Sequence, residues 1–221
     1  MIRNVHLILS IFIALLMLSC EKNDKGGDSP VYPDYGCLKT GNYWIYQRFI
    51  VDSNGVATPQ EIFDSCYVEK DTIVGGISFS KVVRPVYLPS YSPAYELLRD
   101  SLHYIVAPGG KILFSSQDFS SVFYSYAHLF YNGDTVYHVS MKMEDHAEVV
   151  NIPAGSFSTL NCKSTYVLNP QFLPSPNPRF IHKRFAREVG LVVETLPFFA
   201  SQPFTTERRL VRYSVQYGKV Q

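Results

Sequence analysis

The chain of 221 residues holds no Gly-x-Ser-x-Gly nucleophile elbow, no glycine-rich phosphate loop and no clustered metal-ligand motif. The common signatures of hydrolases, nucleotide enzymes and metalloproteins are therefore missing. Charge is also scarce: Asp, Glu, Lys and Arg make up 18% of the residues, against about 25% in an average soluble protein. The formal net charge is only +1, which argues against nucleic acid or another polyanion as the main partner. There is no β-α-β rhythm and no repeat of fixed period, so parallel-sheet folds, propellers and solenoids are excluded. Beyond the first twenty residues no apolar run is long enough to cross a bilayer as a helix.

What is present begins at the N-terminus. Arg3 precedes an apolar run from Leu7 to Leu18, then Ser19-Cys20, then an abrupt polar change at Glu21-Lys22-Asn23-Asp24-Lys25. A positive start, a short apolar stretch and a small residue before a cysteine read as a secretory signal ending at a lipid-accepting Cys20. Ser19 and Cys20 resemble the cleavage point of bacterial lipoprotein signals, while Met17 and Leu18 depart from its first two positions. The plainer alternative is an ordinary signal cut near Ser19 that leaves Cys20 a free thiol. Two acyl chains on Cys20 would hold the protein stably to a membrane without any spanning helix. Loss of Arg3 with the signal brings the formal charge to about zero. The expected address is the bacterial cell envelope, lipid-anchored, at the outer membrane.

Glu21 to Asp34 is rich in Gly, Asp, Lys, Pro and Asn and reads as a tether. The expected organisation is a signal at 1–19, the lipidated cysteine and tether at 20–36, and one domain at 37–221. Sixteen Tyr and fifteen Phe, with Val, Ile and Thr between Gly and Pro punctuation, make the composition β-rich. Three cysteines remain in the domain, Cys37, Cys66 and Cys162. An oxidising compartment permits at most one bridge among them. A Cys37 to Cys66 pairing would close a loop of about thirty residues, worth ~3 to 4 kcal/mol in the chain-entropy model, but either residue could pair with Cys162. The remaining cysteine would be a buried small hydrophobe or a reactive thiol.

Asn42 to Val51 predicts a strand, ended by the hairpin signal Asp52-Ser53-Asn54-Gly55. Glu61 to Val74 and Ile77 to Tyr87 flank a Gly75-Gly76 turn. Leu97 to Ala107 and Lys111 to Ser116 flank Pro108-Gly109-Gly110. Asp118 to Tyr131 mixes helical spacing with strand-like composition and is expected to be a strand with a local helical turn. In Thr135 to Val150, Tyr137, Val139, Met141 and Met143 alternate with His138, Ser140, Lys142 and Glu144, a long strand with one wet face. Pro153-Ala154-Gly155 turns the chain into Ser156 to Leu168, and a Pro-rich loop spans Asn169 to Pro178. Arg179 to Arg187, Gly190 to Leu196 and Thr205 to Tyr217 complete ten to twelve strands. The fold class is all-β: a curved antiparallel sheet or half-open β-barrel in a single domain.

Three stretches, Leu38 to Tyr46 (LKTGNYWIY), Asn151 to Phe157 (NIPAGSF) and Val189-Gly190-Leu191-Val192 with Glu207 to Val211 (ERRLV), resemble a family of secreted bacterial lipoproteins. The resemblance implies a half-open antiparallel barrel, similar in outline to periplasmic carriers of lipid and lipoprotein of the LolA kind. It carries no catalytic signature, and each motif also serves the fold: Trp44 as a core residue, Pro153-Ala154-Gly155 as a turn, and Gly190 as a bulge or close approach.

Several groups of residues are candidates for chemistry. His138, Glu144, His146 and Glu148 share one face if the strand alternation holds to Val149, and imidazole with carboxylate can ligate a cation. Lys142 in the same row favours a solvated face instead, so no metal and no cofactor is expected. Glu144, Asp145 and Glu148 offer carboxylates, but Asp145 faces away from the other two on a regular strand. Arg179, Lys183, Arg184 and Arg187 read as a solvated strand edge or, in the sharper version, as a contact for anionic lipid headgroups. The ligand-binding candidates are aromatics on Pro-stiffened loops: Tyr87, Tyr91 and Tyr95, then Phe172, then Phe198, Phe199 and Phe204. Such rings grip an apolar ligand, stack on sugars, anchor a partner or plug the open end of a barrel. The expected function is that of a membrane-anchored, non-catalytic binding module for an apolar or glycan ligand. The alternatives are a scaffold for another envelope protein and, third, a hydrolase.

Overall fold

Hairpin chemistry organises the chain. At Gly75-Gly76 both residues take positive φ, 58° and 80°, which the two-residue turn between twisted strands requires and which glycine adopts without strain. At the first hairpin the Asp52 carboxylate accepts hydrogen bonds from the Asn54 and Val56 amides at 2.9 and 2.8 Å. The computed structural model describes residues 31–85, 94–171, 178–196 and 205–216. Twelve strands run through them: β1 (Tyr43–Val51), β2 (Ala57–Val74), β3 (Ile77–Arg84), β4 (Ala94–Ser101), β5 (Tyr104–Val106), β6 (Ile112–Ser115), β7 (Tyr124–Leu129), β8 (Thr135–Ile152), β9 (Gly155–Leu168), β10 (Arg179–Ala186), β11 (Gly190–Thr195) and β12 (Thr205–Ser214).

They form one antiparallel sheet in the order β6-β5-β4-β3-β2-β1-β12-β11-β10-β9-β8-β7. Every neighbour is a sequence neighbour except the first and last strands, which pair from Tyr43↔Ser214 to Val51↔Thr205. The meander therefore closes through its ends, and its two free edges are β6 and β7, consecutive in the chain. Side chains bridge that seam. Cys162 Sγ on β9 donates to the Leu113 carbonyl on β6 at 3.3 Å, and the Tyr104 and Phe123 rings meet edge to face at 6.4 Å. The result is a nearly closed all-β barrel, which shelters the exposed edges that a flat twelve-stranded sheet would present.

Alternation along each strand decides what fills it. Trp44 and Tyr46 of β1, Cys66 and Val68 of β2, Val82 of β3, Leu98 of β4, Phe114 of β6, Met141 and Met143 of β8 and Phe185 of β10 are all buried in one cluster. A single ring such as Phe114, 1% exposed, contributes about 2 to 3 kcal/mol by leaving water. Gly190 has φ 92°, and a Cβ there would sit 3.4 Å from the Trp44 ring. The glycine thus lets the indole lie flat on β11, where Nε1 donates to the Val189 carbonyl at 2.6 Å.

Some local readings are corrected. Leu97 to Ala107 is two strands, because Leu102 turns the chain at φ 57°. Asp118 to Tyr131 holds no helical turn: Asp118 accepts from the Ser120 and Ser121 amides at 3.1 and 3.0 Å, and the strand starts only at Tyr124. The segment before Cys37, read as tether, is packed from Tyr32 onward into the unit Tyr32–Gln221. There the Tyr35 ring lies 5.1 Å from Phe114 and the Asp34 carbonyl accepts from the Glu188 amide at 2.6 Å. Residues 1–30, including Cys20, lie outside the described residues.

Candidate functional site

In an antiparallel meander, alternate connections lie at the same end. The strand ends Arg84, Ala94, Leu168, Arg179, Thr195 and Thr205 therefore share one end of the barrel, here called the mouth. The chain enters β1 at the other end, the floor, which Gly36 and Leu38 close from inside. Asn42, fully buried, ties the floor together. Its Nδ2 donates to the Cys37 carbonyl at 2.8 Å and its Oδ1 accepts from the Gln216 amide at 2.8 Å.

Between floor and mouth the barrel encloses a cavity of about 260 Å³. Its apolar wall is Leu38, Trp44, Leu98, Ile105, Phe114 and Phe185, with Met141 and Leu191. On the mouth side a belt of charge crosses seven adjacent strands, one residue from each: Glu96 (β4), Arg84 (β3), Asp64 (β2), Arg48 (β1), Arg208 (β12), Glu194 (β11) and Lys183 (β10). Glu96 Oε2 lies 2.8 Å from Arg84 Nε. Asp64 receives Arg48 Nε and Arg208 Nε, each at 2.7 Å. Arg208 Nη1 reaches Glu194 at 3.4 Å, and Lys183 Nζ lies 3.3 Å from the other Glu194 oxygen.

These groups hold each other ionised. Burial opposes the charge on Glu194, but Lys183, Arg84 and Arg208 outweigh it and leave the carboxyl below its ordinary range. Burial likewise opposes Glu96, which Arg84 and Lys183 bring down. Glu194 in turn raises Lys183 against its own burial. One buried polar atom of the cavity wall, Thr195 Oγ1 in a residue 3% exposed, has no hydrogen-bond partner among the described residues. Atoms of this kind commonly pair with a ligand or a water.

The β7 to β9 side of the concave wall is tyrosine. Tyr124 and Tyr126 face inward beside Met141 and Val139, and Tyr166 pairs with Val139 from the other side. The Tyr124 and Tyr126 rings stack at 5.9 Å, Tyr137 and Tyr166 lie 5.5 Å apart, and His128 stacks on Tyr137 at 4.9 Å. Burial first, then the neighbouring hydroxyls, push the Tyr166 and Tyr137 phenols upward. Lys111 sits over the Tyr124 ring at 5.0 Å and, like Tyr124 and Tyr166, lines the cavity.

Of the loop aromatics singled out in the sequence, Tyr87, Tyr91, Phe172, Phe198, Phe199 and Phe204 lie outside the described residues. Tyr95 is 58% exposed, on the face opposite to Glu96 and Leu98, with Lys81 Nζ 4.7 Å over its ring. The row His138, Glu144, His146 and Glu148 is not a row. Between Glu144↔Asn161 and Glu148↔Thr159 the register slips, with Asp145 and Ala147 at φ 56° and 52°. Glu144 then binds Lys163 at 2.7 Å, Glu148 binds Arg184 at 2.6 Å, His146 stacks on Phe119 at 3.7 Å, and His138 meets Ser125 at 3.3 Å.

The basic group is also redistributed, since β10 is paired on both sides and is no edge. Lys183 points into the cavity and Arg184 points out. Cys37, Cys66 and Cys162 are all buried free thiols. Burial raises each of them, Cys162 to about 12. The charge belt and the tyrosine wall had a sequence signal only in parity: charged or aromatic residues two apart from core residues on the same strand, as Arg48 is from Tyr46 and Glu96 from Leu98.

No protein-family model and no curated protein matches the chain. Two crystal structures are similar to it. One is a candidate lipoprotein from Parabacteroides distasonis, 12% identical, with a TM-score of 0.46 over 84% of this chain and all of that one. The other is a candidate exported protein with a YmcC-like fold from Bacteroides fragilis, 12% identical, with a TM-score of 0.42 over 83% of this chain and all of that one.

Proposed function

We propose that this chain is a lipid-anchored envelope protein whose barrel binds a ligand in its interior without catalysis. The observation that carries the reading is the cavity of about 260 Å³, walled by apolar side chains below an ion-paired belt, with Thr195 Oγ1 buried at its wall and without a hydrogen-bond partner among the described residues. That volume lies just under the range of about 300 to 1,000 Å³ typical of small-molecule sites, room for one chain or ring. The anchor rests on the sequence around Ser19-Cys20.

The absence of catalysis rests on the state of the carboxyls. A general acid needs a raised pKa and a free approach to substrate, whereas Glu96 and Glu194 are held ionised by their cations. Asp100 is pushed up to about 7 by burial and by Asp34. It lies against Gly36 at the floor.

Native mass spectrometry of the full chain carrying Cys20→Ser, exported to a periplasm and purified gently, tests the reading. A discrete extra mass of lipid or glycan size supports it. A clean apo mass that stays unchanged after incubation with a total envelope extract overturns it in favour of a scaffold for another envelope protein.

A further inference from the structure

The cavity carries an electrostatic signature that narrows its ligand. Of the belt, Arg84 and Lys183 line the cavity as cations against the carboxylates of Glu96 and Glu194, while Arg48 and Arg208 share Asp64 beside it. Lys111 adds a further cation at the cavity wall. It has no carboxylate partner among the described residues and is held over the Tyr124 ring. The cavity lining thus carries three cations, Arg84, Lys111 and Lys183, against two carboxylates, Glu96 and Glu194, and low-dielectric walls strengthen the field of the excess charge. Below it the wall is apolar, and water there gives up hydrogen bonds that an apolar chain does not need.

We propose that the ligand of this cavity is a single-chain amphiphile ending in an anion, a carboxylate or a phosphate monoester. Its chain lies among Leu98, Phe114, Phe185 and Leu191, and its head is held by Lys111 and Lys183 beside Tyr124 and Tyr166. This rests on the interior-binding reading above and adds the chemistry of the head. Glu96 is matched by Arg84 at 2.8 Å and Glu194 by Arg208 at 3.4 Å, so the head meets Lys183 as the second cation beside Glu194 and Lys111 as a cation with no carboxylate partner among the described residues. The Thr195 hydroxyl supplies a neutral donor at the same wall.

The test is calorimetric titration of the full chain carrying Cys20→Ser with four ten-carbon probes: decanoate, decyl phosphate, decanol and decyltrimethylammonium. The two anions are expected to bind at least about tenfold more tightly than decanol, and the ammonium at least about tenfold more weakly. Lys111→Gln, at an exposed side chain whose loss leaves the fold intact, is expected to reduce the preference for the anions over decanol to about threefold or less while decanol itself moves by less than about twofold. Lys183→Met should act in the same direction. Equal binding of anions and decanol, or a preference untouched by Lys111→Gln, overturns the assignment of the head and leaves interior binding standing. Failure of all four probes to bind overturns both. Of the two anions, the tighter one identifies the source as a free fatty acid or a phosphorylated chain.

Discussion

Arg208 Nε donates to Asp64 Oδ2 at 2.7 Å, joining β12 to β2 across β1, and Arg48 binds the same carboxylate through two bonds at 2.7 and 2.8 Å. Asp64 accepts from both guanidinium groups in a barrel wall where its side chain is 5% exposed. Removing its charge leaves both cations facing each other at the Arg48↔Arg208 register position.

Asp64→Asn is therefore expected to destabilise the barrel by about 3 to 5 kcal/mol, the usual cost of breaking a buried pair from one side. Burial works to raise the Asp64 pKa, but Arg48 and Arg208 overcome it and leave the carboxyl lowered. A lowered carboxyl stabilises the fold above its ordinary pKa near 4 and loses that contribution as pH falls through the lowered value. The difference in urea unfolding free energy between wild type and Asp64→Asn should hold constant above about pH 5 and shrink below about pH 4. A difference that grows on acidification would contradict this.

Gly190→Ala places a methyl group 3.4 Å from the Trp44 ring at a φ of 92°. The expected loss is about 1 to 3 kcal/mol, accompanied by a change in Trp44 fluorescence as the indole leaves the Val189 carbonyl. An unchanged emission spectrum with unchanged stability would show that β11 yields at this point.

Ala147 carries the opposite expectation. It sits at φ 52° in the double slip of β8, where a side chain costs about 1 to 2 kcal/mol. Glycine removes that strain and loses part of the gain to unfolded-chain entropy. Ala147→Gly should stabilise the protein by about 0.5 to 1 kcal/mol in denaturant titration, and destabilisation would refute the strained geometry.

The three domain thiols should behave alike. Cys37, Cys66 and Cys162 are free and buried, and burial raises the pKa of each. In the chain carrying Cys20→Ser, iodoacetamide at pH 8 is expected to leave all three unmodified in native protein and to alkylate all three in urea without prior reduction. A pair that alkylates only after reductant would reveal a disulfide.

How much of this was legible in the sequence depends on which residues carried each feature. Strands bounded by Gly75-Gly76, Asp52 to Gly55 and Pro108-Gly109-Gly110 were readable because those residues are turn formers for stated physical reasons. The break at Leu102 and the slip at Asp145 to Ala147 were not, since Leu and Ala give no warning that they will adopt positive φ. The charge belt was hidden for another reason. Polarity alternating with core residues normally marks the solvent face, and here Arg48, Asp64, Glu96 and Lys183 alternate on the inside. Only the closure of β1 on β12 makes that face an interior.

The central claim is that a ligand enters the barrel, and the single Trp of the chain lines the cavity. Titration of Trp44 fluorescence with 10-bromodecanoate, against decanoate as control, tests it most directly, because bromine quenches an indole only at contact range. Saturable quenching by the brominated chain alone, abolished by excess decanoate, is the predicted result. Binding of 10-bromodecanoate with no quenching of Trp44 would place the ligand outside the barrel and contradict the account.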